Sequence, residues 1–447
     1  MNHILIRNGL VINEGLKIGA DILIIGDLID SIYEPGEGPA DYGTEVIDVT
    51  GMWVLPGVID DHVHFREPGL THKGDISSES AAAIAGGVTS FMDMPNTLPQ
   101  TITLAEWNKK NERASEVSRA NYSFYLGATE KNISELLTAD PRFMPAIKLF
   151  LGASTGNMLV TGSEALDAIF SIKKLPLACH CEDEQIIRTN SEVYYKEYGD
   201  NIDPSFHPLI RSRQACLASS SAAVERAQKS GARLHLLHLS TAEETALLAP
   251  GPDPTGKQII GEACVHHLWF DDTYYAQKGT LIKWNPAVKK PSDREALIRA
   301  VNEGAIDIIA TDHAPHTLEE KMVPYFKAPS GGPMVQHSLP LMLELCHRGE
   351  LRPETVVKAM CHNPAKVFGI DRRGFLRPGY KADIVIVKPD DPWMVTKENI
   401  LYKCGWSPLE GTVLHSRVIT TIINGIPAFE NGRLTGNKPA EMLQFNR

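Results

Sequence analysis

His62-Val63-His64-Phe65-Arg66 sets two imidazoles two residues apart, with a guanidinium two residues further on. Alternate residues of a strand share a face, so both rings point the same way and can hold one cation through ring nitrogen. A lone histidine at a strand end is more often a hydrogen-bonded structural residue. Here the type recurs. Lys148 lies in PAIKLFLG, His180 in LACHCED, His238 in LLHLST and Asp312 in IIATDHAPH. Histidines and a carboxylate closing one apolar stretch after another make a ligand set. Such donors suit Zn2+ first, and Mn2+, Co2+ or Fe2+ next. The chemistry they support is hydrolysis, because a cation acidifies water and polarises a carbonyl.

Lys148 is the odd member. A strand lysine ordinarily packs its stem and pairs its amine with a carboxylate. Burial near cations disfavours the ammonium form. A neutral amine reacts with CO2 to give a carbamate, and its two oxygens are enough to bridge two metals. Cys179 and Cys181 flank His180 on a strand, point away from it and read as core thiols. His266 and His267 read as structural or as supports behind the ligands, and His235 as inert.

These residues need a frame that brings strand ends together. Apolar strand candidates recur with helical stretches between them: VLPGVID, TSFMDM, NYSFYL, AIKLFL, LPLACH, RLHLLHL, QIIGEA and DIIATD. Eight such units predict a (β/α)8 barrel over 54–369, whose active site sits at the C-terminal strand ends. Continuous apolar runs fit parallel strands buried on both faces. The two chain ends carry short alternating strands and the hairpin pairs Asn8-Gly9 and Asn424-Gly425. They predict one small β-sandwich built from 1–53 and 370–447. The loops at 152–163 and 317–337 are candidate lids.

Composition bounds the partners. The 447 residues carry 44 basic and 55 acidic side chains, a net charge of −11. That argues against nucleic acid and against anionic membranes, which reward basic patches. It leaves room for a small anionic substrate, since one arginine suffices for a carboxylate. No apolar run approaches the roughly 20 residues of a membrane span, and the N-terminal MNHILIRNGLVI reads as a strand, not a leader. Seven cysteines in no regular framework read as reduced thiols of a cytoplasmic protein.

The segments PGVIDDHVHFREPG, AGGVTSFMDMPNT, CHCED, HLST, WNP and ATDHAPHT together resemble the amidohydrolase superfamily, and within it the dihydroorotases, over essentially the whole chain. The resemblance implies a binuclear centre. One metal would be held by His62, His64, Lys148 and Asp312, and the second by Lys148, His180 and His238. Lys148 would be N6-carboxylated; the Asp-Gly motif that bridges in some longer relatives is absent near 148–165. A bridging hydroxide would attack the ring amide of dihydroorotate, with Asp312 as general base and then general acid, in pyrimidine synthesis. Asp312 acting as a ligand alone is the simpler role. Arg66 would grip the substrate carboxylate, Asn96 and His316 would complete the grip, and Asn285 would face the ring. Their ordinary roles are a pair between Arg66 and Glu67 or Asp61, a turn cap for Asn96 and a loop cap for His316. The family often forms homo-oligomers, dimers above all. Allantoinases and hydantoinases share the metal ligands but not the Arg66 and Asn96 positions. A silent scaffold would have lost ligands, which this chain keeps.

Overall fold

The computed structural model describes residues 3–40, 43–152 and 158–447. Eight parallel strands form the barrel: Val58–Val63, Val88–Asp93, a third in two pieces (Asn121–Phe124 and Leu126–Gly127), Ile147–Phe150, Leu177–His180, Leu234–Leu236, Ile259–Cys264 and Ile308–Ala310. Each pairs in parallel with the next. The circle closes where Val63 bridges His313. Every residue of strands one and two is buried, polar ones included, as parallel strands covered on both faces require.

The helices between strands begin where the sequence supplies a cap. Asp75 accepts from Ser78 N at the start of Ile76–Ala85, and Ser212 from Ala215 N at the start of Arg213–Ser230. Gly231, with φ 77°, ends the latter in the left-handed region. Between helices and strands lies one large apolar core that includes Phe65, Phe91, Phe124 and Trp284. Phe65 and Phe91 meet with ring centroids 4.4 Å apart beneath the first strand end.

The terminal strands form the β-sandwich. His3–Asn13, Leu16–Ile25, Leu28–Tyr33, Glu45–Asp48 and Trp53–Pro56 share a nine-stranded sheet with Ile384–Lys388, Arg417–Ile423, Ile426–Glu430 and Arg433–Leu434. The two chain ends join where Trp53–Pro56 pairs antiparallel with Ile384–Val387. Ile4, Ile6, Ile22, Ile24, Ile384, Ile386 and Ile422 give this sheet its own core. The last residues return to the barrel: Met442 bridges Tyr122, and Arg447 donates to Phe368 O and Met144 O.

All seven cysteines are free thiols. Cys179 and Cys181 are buried in the apolar core, and burial pushes Cys179 up to about 12. Among the described residues no helix is long and apolar enough to cross a membrane. Of the two candidate lids, residues 153–157 lie outside the described residues. The 317–337 segment folds into the short helix Leu318–Lys321, a turn at Val335–His337 and an intervening loop whose Pro329, Ser330 and Gly331 line the cleft described next.

Candidate metal centre and substrate cleft

A cleft of about 320 Å³ opens at the C-terminal ends of the strands. His62, His64, Arg66, Asn96, Lys148, His180, His238, Asn285 and Asp312 all line it. His316 does not; it stands behind Arg66. A larger cavity, about 440 Å³, lies apart, lined by Glu14, Lys358, His362 and Phe375 among others. The ligand-type residues are in the smaller one.

The geometry at the first strand end is directional. His62 Nδ1 donates to Glu262 Oε1 at 2.9 Å, and His64 Nδ1 to Asn96 Oδ1 at 2.7 Å. With those protons on Nδ1, each Nε2 is left with a lone pair. Both Nε2 atoms face Asp312 Oδ1, at 3.4 and 3.0 Å. Burial pushes His64 down to about 4, so its ring is neutral at pH 7. Lone pairs and an anionic oxygen crowded on one point are repulsive unless a cation sits among them. His62, His64 and Asp312 are a buried group able to hold a metal ion.

The second half lies across the barrel. His180 Nδ1 and His238 Nε2 face each other at 2.8 Å, and burial lowers both rings' pKa values. His238 Nδ1 is buried with no hydrogen-bond partner among the described residues. Lys148 sits between the two halves, on strand four. Its amine lies 4.6 Å over the Phe150 ring and makes no ion pair or hydrogen bond among the described residues. Burial pushes it down to about 8. That shift favours the free amine, the form that adds CO2.

Three ligand-type residues lie beyond their strands, His64 by a single position. His238 and Asp312 each follow the last strand residue by two positions, with φ 40° and 45°. Arg66 is bent the same way, with φ 69°. That turn carries its buried guanidinium over the cleft, where Nε donates to Pro315 O at 2.9 Å and Nη2 to His316 Nε2 at 3.1 Å. Arg66 pairs with neither Glu67 nor Asp61. With Nε2 accepting from Arg66, His316 Nδ1 carries the proton and faces Glu320 Oε2 at 3.5 Å, so the ring is a brace between Arg66 and the surface. Asn285 presents a buried Oδ1 with no hydrogen-bond partner among the described residues.

Three charged residues were not singled out from sequence. Glu262, on strand seven, joins His62 to His235, which it meets at 3.1 Å; His235 is part of this network and not inert. Burial raises the Glu262 carboxyl, but His62 and His235 outweigh it and keep it well below the ordinary range. Glu182 lies 3.2 Å from His180 Nε2 and pairs with Arg211, which lines the cleft. Burial alone would raise Glu182; Arg211 and then His180 bring it down to about 2. The signal for Glu262 was present: an acid inside QIIGEAC must be paired to be buried. His266 stacks on Trp284 at 4.3 Å, and His267 meets Pro286 O at 3.1 Å.

Residues 51–244 match the family model described as dihydro-orotase-like, and residues 212–427 that of the amidohydrolase family. A dihydroorotase of Halobacterium salinarum is 35% identical over 397 residues, covering 88% of this chain and 89% of the relative. The chain belongs to the dihydroorotase family. A second member, from Methanothermobacter thermautotrophicus, is 30% identical over 436 residues and covers 95% of each chain. Among solved structures, the L-hydantoinase of Arthrobacter aurescens superposes with a TM-score of 0.92 over 99% of this chain and 100% of its own. The dihydropyrimidinase of Brevibacillus agri does so with 0.89 over 100% of both. At 24% identity these two speak for the fold alone: a barrel with a sandwich built from both ends.

Proposed function

We propose that the chain interconverts dihydroorotate and N-carbamoyl-aspartate by opening and closing the ring amide, as a step of pyrimidine synthesis. Family membership supports the reaction class. The observation that carries the mechanism is the convergence of two imidazole lone pairs and the Asp312 carboxylate on one point beside a buried arginine. In this reading His62, His64 and Asp312 hold one divalent cation, Zn2+ first. His180 and His238 hold a second, and a carboxylated Lys148 serves both. When bound, the cations supply an acidified water and a polarised carbonyl.

The remaining work falls to the chain. Asp312, ionised and buried against the cleft, takes the proton of the attacking water as the new C–O bond forms. It returns that proton to the ring nitrogen as the C–N bond breaks, serving as general base and then general acid. Arg66 keeps Nη1 free of hydrogen bonds among the described residues, for the carboxylate that dihydroorotate carries on its ring. Asn96 spends its Oδ1 on His64 and has its amide protons left for the same carboxylate. The unpartnered Asn285 Oδ1 accepts a ring N–H. His316 supports the grip by bracing Arg66.

Dihydroorotate, allantoin and a hydantoin assayed side by side test the assignment. Turnover of dihydroorotate should dominate. Preference for either ring that lacks a carboxylate would overturn it, and metal-free protein that stays inactive on adding Zn2+, Mn2+ or Co2+ would overturn the metal reading.

A further inference from the structure

Glu262 is wholly buried on strand seven and touches both halves of the centre. Its Oε1 accepts two hydrogen bonds at 2.9 Å, one from His62 Nδ1 and one from the backbone N–H of His238. Its Oε2 meets His235 Nε2 at 3.1 Å. His62 lies on strand one and His238 two residues past strand six, and in the proposed reading they serve different metals. We infer that Glu262 is a positioning residue that sets both metal sites through a single carboxylate oxygen. This rests on the two-metal reading above.

Two separate tasks meet at that oxygen. At His62 it fixes which ring nitrogen carries the proton, so that Nε2 keeps its lone pair toward Asp312. At His238 it anchors a backbone bent to φ 40°, which an unsupported histidine would leave. The neighbouring ligand shows the contrast. His64 has a neutral amide, Asn96, in the same position. A carboxylate makes the imidazole it holds a stronger donor than an amide does, so the two histidines of one cation are held unequally. His62 takes the anionic support, and the same anion reaches across to the other site.

The test is metal affinity, with activity left aside. Wild type, Glu262→Gln and Glu262→Ala are prepared metal-free, and Zn2+ uptake is measured by competition with a chromophoric chelator. Melting and circular dichroism of each metal-free protein are recorded alongside. Gln keeps the shape and an oxygen for His62 and His238 but loses the charge. Its first binding event should weaken by about 10- to 100-fold, while the metal-free fold melts within a few degrees of wild type. Ala also removes the anchor of His238 and should weaken both events. Where Ala fails to fold, Gln alone decides. Wild-type affinity at both sites in Gln would overturn the inference. So would a loss of fold stability in Gln with no change in the affinity of the folded fraction. A wild-type chain that takes up no metal would instead overturn the two-metal reading itself.

Discussion

Replacing Arg66 with methionine removes the cation and keeps most of the stem. The guanidinium is 2% exposed, and burial pushes its pKa down only to about 10, so it is fully charged at pH 7. Breaking a buried, hydrogen-bonded charge pair costs about 2–5 kcal/mol. At about 1.4 kcal/mol per decade, kcat/KM for dihydroorotate should fall roughly 30- to 4000-fold. The substitution also strips the donors from Pro315 O and His316. That should cost about 1–3 kcal/mol of stability, visible as a lower melting temperature and not as loss of fold. Metal content should stay at the wild-type level, since Arg66 holds no cation in the proposed site. The assay compares dihydroorotate with a cyclic amide that has no carboxylate, at saturating metal. The loss should be confined to dihydroorotate. An equal loss on both substrates would mean that Arg66 only shapes the cleft, and an unchanged kcat/KM would remove it from substrate binding altogether.

Lys148→Ala should lose bound metal and activity together, and small carboxylic acids that can bridge should restore part of both; full metal content in the variant would refute the carbamate bridge. Glu79 is wholly buried and accepts from His313 Nε2 at 2.8 Å and from Lys403 N at 3.0 Å. Glu79→Ala should cost about 3–5 kcal/mol in urea unfolding, and a loss below 1 kcal/mol would show that the pair is dispensable. For His337, burial and then His313 lower the pKa from 6.5 to about 3. The unfolded chain takes up that proton below pH 6.5 while the folded one does not until about pH 3, so stability falls as pH drops through this window, by up to about 1.4 kcal/mol per pH unit. His337→Gln should flatten the dependence of unfolding free energy on pH between 4 and 6 by that amount, and an unaltered slope would count against it.

The sequence exposed the site where chemistry interrupts an apolar run. Lys148 and His180 stand out because each is the one ionised-type residue in an otherwise apolar, fully buried strand, and His62 through its spacing to His64. His238 and Asp312 were read as closing their strands. They lie two residues past them, in turns that a parallel strand's composition does not encode. The partners of the ligands were harder to see, because they are set by contacts distant in the chain. Glu262 reaches His62 across 200 positions, and Asn96 reaches His64 across 32. A motif shows that Asn96 belongs to the site but not that its oxygen is spent on a histidine. Likewise His316 was expected at the substrate and stands one layer back, because Arg66 fills the space in front of it. Glu182 and Arg211 sit in segments with no regular spacing, and their pairing exists only in the folded barrel.

Three of the site's side chains stand on left-handed backbone: Arg66, His238 and Asp312. Elsewhere that conformation falls to residues such as Asn424 and Asn431, each followed by glycine in a hairpin. For an L-residue it costs roughly 1–2 kcal/mol, and glycine avoids that cost. Glycine at any of the three would thus relieve the backbone, a gain offset at Arg66 by the hydrogen bonds lost there, while abolishing the side chain that the proposed reaction would use. Selection for stability and selection for turnover therefore pull these codons in opposite directions. In a lineage relieved of the reaction, drift should reach these three positions early, and glycine or asparagine there would mark a descendant that has kept the barrel and given up the chemistry.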